Sequence, residues 1–410
     1  MSELKNNMGN SKGHLMTESK DSKIADCIVE RLENFFKDHP RPVELHGPVF
    51  DGNEEKYVRE CVVTRWVSSA GAFVGKFEQM LAEYTGSPYA VAVTNGTVAL
   101  HMALLLAGVE RGEEVLIPSL TFVATANAVS HAGAIPHLCD VSETTLGLDP
   151  VKLADWLDEI GEKRDGKVFN RLSGRAIGAI MPMHAFGHPV QLDELLAIAE
   201  KWGLPLVEDA AESLGSFYKG RHTGTISGIA ALSFNGNKTV TTGGGGALLI
   251  RDPELAKKAK HLTTTAKKPH AYRFIHDDVG YNYRMPNINA ALGVAQMESL
   301  ERFLERKRQL VAEYQRLFAD LADCKLFIEP SYAKSNYWLN CLILQGEQAI
   351  FDQTCLESIF ERLAEKDIQT RPFWEPMHKL PMYESCPSMP LSVSESLNSR
   401  TVCIPSGPGL

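Results

Sequence analysis

The chain has 410 residues, 44% hydrophobic and 23% charged, the composition of a globular protein able to bury a large core; its length predicts roughly two or three domains, or a large one with a small companion. A formal net charge of −9 leaves no electrostatic footprint for nucleic acid, and no apolar run reaches the ~18 residues that span a bilayer. The eight cysteines form no C-x-x-C pair or regular spacing, so neither a zinc site nor a disulfide framework is indicated, and scattered thiols fit a reducing cytoplasm.

Residues 1–23 are polar, lack the apolar core of a signal peptide and read as a disordered tail. Residues 24–39 suggest a short amphipathic helix ended by Pro40 and Pro42. Asn53 to Val63 reads as a second helix, Trp66 to Phe73 as a loop, and Phe77 to Tyr84 as another helical turn or two. A regular alternation then begins. Strands are predicted at 89–93, 114–117, 135–141, 176–183 and 205–208. Helices are predicted from Asn95, at 122–132, at 153–160 and at 192–202. The charged, glycine-containing stretch 161–174 reads as a loop. Such alternation predicts a mostly parallel sheet with helices on both faces. Ligands of these sheets bind beyond the carboxyl ends of the strands.

Two more apolar, strand-like runs follow, ending at Ser233 and spanning Ala247–Ile250. Between them lies Phe234-Asn-Gly-Asn-Lys238-Thr-Val-Thr-Thr-Gly-Gly-Gly-Gly246. From Pro286 to about Ala322 the pattern is helical, interrupted at most once. A strand at 340–344, a helix at 351–365 and a strand at 368–372 form a smaller α/β unit. The predicted organisation is a tail (1–23), a large domain with N-terminal helices (24–285) and a small C-terminal domain (286–410).

Lys238 lies in a loop between buried strands. Asp209 closes another apolar run, in Leu206-Val-Glu-Asp209-Ala-Ala-Glu212. A lysine and an aspartate at neighbouring strand ends meet the needs of pyridoxal phosphate: a Schiff-base amine, and a carboxylate for the pyridinium nitrogen. Asn95-Gly96-Thr97 sits at a strand-to-helix turn, where free N–H groups bind anions; alone it is equally an ordinary N-cap. Ser233 could add a hydroxyl to the same phosphate. Phe122 could lie on a cofactor ring, or in the core. Asp209 could also be a plain N-cap. The four glycines precede a strand, so they are no dinucleotide fingerprint; they read as a tight loop allowing close backbone approach. His184-Ala-Phe-Gly-His188 has metal-like spacing, but Gly187 and Pro189 oppose a helix, so no metal is expected.

Six motifs occur in one order: Asn95-Gly-Thr, Pro118-Ser-Leu-Thr-Phe122, Glu208-Asp-Ala-Ala-Glu212, Ser233-Phe-Asn-Gly-Asn-Lys238, Gly243-Gly-Gly-Gly-Ala and Gly280-Tyr-Asn-Tyr-Arg-Met285. This series resembles the DegT/DnrJ/EryC1/StrS family of pyridoxal phosphate-dependent sugar aminotransferases, over roughly residues 45–408. Asn53-Glu-Glu-Lys-Tyr57, Trp66-Val-Ser-Ser69 and Phe234-Asn-Gly-Asn-Lys238 look most like the legionaminic-acid-pathway (LegC-like) subgroup. That subgroup aminates C4 of a nucleotide-linked 4-keto-6-deoxy-HexNAc.

The resemblance implies an α/β fold of the aspartate aminotransferase-like fold type I, with a large mixed, mostly parallel sheet domain. Lys238 would carry the cofactor, Asp209 would pair with the ring nitrogen and Phe122 would stack on the ring. Gly96, Thr97 and Ser233 would bind the phosphate. Glu212 stands where many members carry His or Gln and would face the ring hydroxyl. Asn282 would reach the phosphate of a neighbouring protomer's cofactor, which implies a homodimer with shared sites. His378 would approach the sugar nucleotide. The implied reaction aminates a keto sugar nucleotide, a UDP-4-keto-6-deoxy-HexNAc, with glutamate as donor and no membrane partner. Alternatives are a keto sugar of the GDP-perosamine or 8-amino-octulosonate type, or a sugar dehydratase. Dehydratases of the family replace the lysine with histidine, and Lys238 is retained. A non-catalytic regulator of the same fold is a further alternative, opposed by the intact Lys238–Asp209 pair. Many relatives run on beyond the position of Leu410.

Overall fold

The structure, a computed structural model, describes residues 20–345 and 353–410. The predicted tail therefore lies outside the described residues up to position 19, as do Phe351 and Asp352 at the start of one predicted helix. At the centre is a sheet whose strands read as short apolar runs because helices cover both faces. Its order is Ile135–Cys139, Glu114–Pro118, Ala176–Ile180, Glu208–Asp209, Ile229–Ser233, Gly246–Ile250 and Tyr89–Val93. The bridges Ile180–Leu206 and Met183–Asp209 join its two halves. Gly246–Ile250 is antiparallel to both neighbours; the other pairings in this order are parallel. The expected mixed, mostly parallel sheet is present.

Side chains alternate across this sheet with period 2. Leu248 and Ile250 face the Gly96–Leu106 and Val123–His131 helices. Ala247 and Leu249 face Phe77 and Leu81, on Ala72–Thr85, and Val294, on Asn287–Glu298. A third cluster joins Leu116 and Ile180 to Leu157 and Leu195. The helix at Asn95 begins as expected, whereas Pro150–Ile160 starts one turn before the expected 153 and Ala72–Thr85 starts inside the expected loop at 66–73. Asn95 caps Gly96–Leu106 with its side chain on the Val98 N–H, and Asp149 caps Pro150–Ile160.

The expected loop at 161–174 contains a hairpin, Gly161–Arg164 with Lys167–Asn170, which adds to the sheet along Ala176–Ile180. Asp165 and Gly166 both have positive φ, 52° and 78°, as a two-residue Asp-Gly turn requires. The flanking charges hid that signal.

The first helix runs Lys20–Phe35, several residues short of Pro40, and takes in the last residues assigned to the tail. Its Ile24, Ile28 and Leu32 pack with Leu310, Tyr314, Ile359 and Leu363 of the C-terminal unit, at helical spacing. Asn287–Glu298 instead packs with the central sheet, and the next helix, Leu300–Leu317, contacts both units. The break at Ser299 matches the single expected interruption. The C-terminal sheet is antiparallel, ordered Cys324–Leu326, Asn340–Leu344, Thr401–Ile404 and Arg371–Pro372. Ile368, expected in the last strand, bridges Val43 instead. Among the described residues no helix is long and apolar enough to cross a membrane.

Candidate active site

A cavity of about 990 Å³ opens at the carboxyl ends of the central strands and is closed from the other side by the C-terminal unit. Gly96, Thr97, Phe122, Asp209, Glu212, Ser233 and Lys238 all line it. Residues far apart in sequence converge here because consecutive parallel strands point their carboxyl ends the same way.

Lys238 follows the Ile229–Ser233 strand. Its loop is shaped by backbone bonds from Phe234 N–H to Gly245 O, Thr242 N–H to Phe234 O and Lys238 N–H to Asn235 O. Lys238 Nζ lies 3.0 Å from Glu212 Oε1 and 3.6 Å from the centroid of the Trp338 ring. The Phe186 N–H donates to Glu212 Oε2 at 2.9 Å. Phe186 itself holds a positive φ of 55°, a rare conformation for a bulky residue and one that often marks functional sites. Burial pushes the Glu212 carboxyl up to about 7, although Lys238 and the Phe186 amide pull the other way. A carboxyl so placed changes charge near neutrality.

Glu208 and Asp209 are adjacent, both buried, and shifted in opposite directions. Burial opposes ionisation of Glu208, but it accepts from His184 Nε2, the Gly224, Ile226 and Ser227 amides and the Ser227 hydroxyl. These hold it at about 2. Asp209 accepts from the Thr125 hydroxyl at 2.7 Å and the Ala211 amide at 3.1 Å, and burial raises it. Glu208 is thus satisfied inside the protein. Asp209 faces the cavity with lone-pair capacity left for a cationic N–H donor.

The anion end is built by close packing. The first amides of a helix have no intrahelical acceptor, and Gly96 and Thr97, which open the Gly96–Leu106 helix, line the cavity. A Cβ on Gly96 would lie 2.8 Å from Ser233 Cβ, and one on Gly246 would lie 2.5 Å from the Asn95 carbonyl. Two glycines therefore let the helix start, the Ser233 strand end and the glycine-rich loop meet. The tight-loop reading of 243–246 holds, with neighbouring backbone as what it approaches. These features fit pyridoxal phosphate: an amine, a buried carboxylate short of donors, and a small-residue cradle for a phosphate.

Phe122 lines the cavity with 47% of its surface exposed, an open face a planar ring could cover. Asn282 and His378 do not line it. Asn282 is exposed and accepts from Arg284. Tyr281 and Tyr283 stack at 4.9 Å and pack beside the large cluster rather than standing free. His378 bonds Ser119 and Glu395, next to the cavity-lining Lys379. His184 is taken by Glu208, and His188 is buried against Phe327 and Tyr337. Sequence reasoning missed Thr125, Trp338 and His46, which also line the cavity. Thr125 had a signal, one helical turn past Phe122. Trp338 and His46 had none, since they enter from the C-terminal side and the N-terminal crossing.

A lysine, a buried aspartate and a helix-start anion site at the strand ends of such a sheet define the fold type I class of pyridoxal phosphate enzymes. Residues 48–410 match the model of the DegT/DnrJ/EryC1/StrS aminotransferase family. The chain is 35% identical over 373 residues to EpsN of Bacillus subtilis (strain 168), a pyridoxal phosphate-dependent aminotransferase by name, covering 90% of this chain and 91% of that one. It is 35% identical over 369 residues to GDP-perosamine synthase of Escherichia coli O157:H7, covering 90% and 94%. Among solved structures, the aminotransferase TlmJ of Streptoalloteichus hindustanus superposes with a TM-score of 0.79 at 26% identity, covering 90% and 94%. The chain belongs to the DegT/DnrJ/EryC1/StrS aminotransferase family and is a transaminase that uses pyridoxal phosphate.

Proposed function

We propose that this transaminase aminates C4 of a nucleotide-linked 4-keto-6-deoxy-hexose, taking the amino group from glutamate in a ping-pong cycle. The observation that carries the reading is the convergence of Lys238, Asp209 and the Gly96–Thr97 helix start on one cavity. Pyridoxal phosphate supplies an electron sink for the carbanion that develops at the amino-bearing carbon. Lys238 would hold the cofactor, and its Nζ, once free, would act as general acid and base, moving a proton between the donor carbon and the cofactor in one half of the cycle and between the cofactor and the sugar carbon in the other. Asp209 keeps a proton on the ring nitrogen. Glu212, poised near neutrality, steadies Lys238 Nζ and would serve the ring hydroxyl of the bound cofactor. The Gly96 and Thr97 amides and the Ser233 hydroxyl would bind the phosphate, and Phe122 would cover one ring face. Asn282 lies outside its own protomer's cavity, which supports a homodimer in which it serves the neighbour's phosphate. His378, held by Ser119 and Glu395 next to the cavity-lining Lys379, would stand near the approach of the sugar nucleotide.

The motifs Asn53–Tyr57, Trp66–Ser69 and Phe234–Lys238 support a UDP-4-keto-6-deoxy-HexNAc as the acceptor and a place in legionaminic-type sugar synthesis, in the cytoplasm. A GDP-linked 4-keto-6-deoxy-hexose is the second reading, favoured by the similarity to a GDP-perosamine synthase. The test supplies purified enzyme with glutamate and each keto sugar in turn, and follows amino sugar by mass spectrometry. The UDP sugar is expected to be aminated with the higher kcat/KM. Preference for the GDP sugar establishes the second reading, and amination of neither removes both.

A further inference from the structure

The strongest feature that the proposed roles leave unused is the floor beneath Lys238. Lys238 Nζ sits between two walls, the Glu212 carboxylate at 3.0 Å and the Trp338 ring face at 3.6 Å from its centroid. A cation over an indole face is attracted by the ring quadrupole, most strongly when desolvated. Both partners are enclosed: Trp338 is 5% exposed and the Lys238 side chain 11%.

One bond holds the ring itself, and others hold the backbone that carries it. The Trp338 indole N–H donates to the carbonyl of Asn237, the residue before the lysine, at 2.7 Å. The Trp338 amide donates to Asn336 Oδ1 at 2.8 Å, and Asn336 Nδ2 donates to the Glu212 carbonyl at 2.8 Å. Asn336 thus ties the two walls together. Fully buried Lys307 bonds the Trp338 backbone carbonyl at 3.2 Å, the Ser406 carbonyl at 2.5 Å and His46 Nε2 at 2.9 Å. Tyr337, next in chain to Trp338, holds a positive φ of 49°. Strain of that kind at a bulky residue persists only where its surroundings over-determine it.

We propose that Trp338 is a positioning residue of the transamination: its indole face seats the Lys238 ammonium whenever that lysine is not bonded to the cofactor. The inference rests on the reading of Lys238 as the cofactor lysine. The seat acts in the half of the cycle where Lys238 is free. It keeps Nζ beside Glu212, restricts the rotamers of a long side chain, and holds the ammonium formed once Nζ has taken its proton, aimed for delivering it.

The test uses the full chain in its pyridoxamine phosphate form, prepared with glutamate, with ε-13C-labelled lysine and Lys238→Arg to assign the resonance. The Lys238 ε-CH2 protons should appear upfield of the other lysines through the indole ring current. Trp338→Leu should return them to the common position. Trp338→Phe should retain a smaller displacement. In single-turnover reaction with keto sugar, Trp338→Leu should slow the step roughly tenfold, equivalent to ~1.4 kcal/mol. KM for the sugar should hold, and Trp338→Phe should restore most of the rate. A wild-type Lys238 signal among the common lysines overturns the proposal, as does a Leu variant that leaves both signal and rate unchanged. Should Trp338→Leu fail to fold, the wild-type and Phe spectra decide: a Phe signal that does not lie between wild type and the common lysines overturns it. Borohydride reduction of the loaded enzyme with peptide mapping keeps the two readings apart. A label on another lysine removes the assignment of Lys238, whereas a label on Lys238 with a flat Trp338 series removes only the seat.

Discussion

Lys238 Nζ and Glu212 Oε1 stand 3.0 Å apart, with side-chain exposures of 11% and 1%. Water contributes little to this pair, so its charge state follows from burial and from the few groups around it. Burial lifts the Glu212 carboxyl to about 7 from 4.5. The folded value thus lies above the unfolded one. The stability linked to this carboxyl is full below the unfolded pKa and is lost as pH rises through about 7. Cofactor-free protein should therefore melt at falling temperature between roughly pH 5 and pH 8. Glu212→Gln should remove that component from the pH profile of the melting temperature. Superimposable wild-type and variant profiles would show that Glu212 does not titrate in this window.

Asp209 depends on a donor the protein does not itself provide. Asp209→Asn keeps the shape and loses the charge that would hold a proton on the ring nitrogen. The half-reaction with glutamate, followed by stopped-flow absorbance, should slow by more than about tenfold, each tenfold being ~1.4 kcal/mol of barrier. Thr125→Val removes the 2.7 Å hydroxyl bond to Asp209 Oδ2. A hydrogen bond to a charged group contributes about 1.5–3 kcal/mol, so this variant should slow the same step less and retain cofactor less well. An unchanged rate in Asp209→Asn would place the ring nitrogen's partner elsewhere.

Gly96 tests the packing of the anion end. A methyl there would lie 2.8 Å from Ser233 Cβ, a stiff neighbour at a strand end. Gly96→Ala should cost about 1–3 kcal/mol by overpacking and should release cofactor faster on dialysis. Gly75 provides the contrast, since it lies within the Ala72–Thr85 helix with nothing within 4 Å of its added Cβ. Gly75→Ala should raise stability by about 0.5–1 kcal/mol. Equal behaviour of the two variants in denaturant titration and dialysis would refute the close-approach argument.

Asn282 tests assembly. In a two-fold dimer each composite site occurs twice. Asn282→Ala should weaken cofactor retention while leaving the Lys238–Glu212 pair intact. Mixing it with Lys238→Ala should regenerate activity, because one site of each mixed dimer combines an intact lysine with an intact asparagine. A fully active monomer in sedimentation, or no recovery once subunit exchange is demonstrated, would sink the shared site.

Much of the framework was already decided by local sequence. The strands at 89–93 and 340–344 and the helix at 192–202 coincide with the elements found, because side-chain periodicity is a short-range property. The order of motifs placed Gly96, Phe122, Asp209, Ser233 and Lys238 at strand ends, and a parallel sheet necessarily gathers such ends on one edge. Even the missed hairpin was written locally, in Asp165-Gly166. Tertiary structure alone decided the rest. The first helix joins the C-terminal unit because its apolar stripe finds Tyr314 and Ile359 there, and periodicity specifies a face without naming its partner. Glu208 and Asp209 look equivalent in sequence. Five donors hold one ionised at about 2, while the other, with two, is raised by burial. Trp338 reaches Lys238 only because the C-terminal unit folds back over the strand ends. The chemistry of these groups depends on who shares their buried space, and that depends on contacts between residues far apart in the chain.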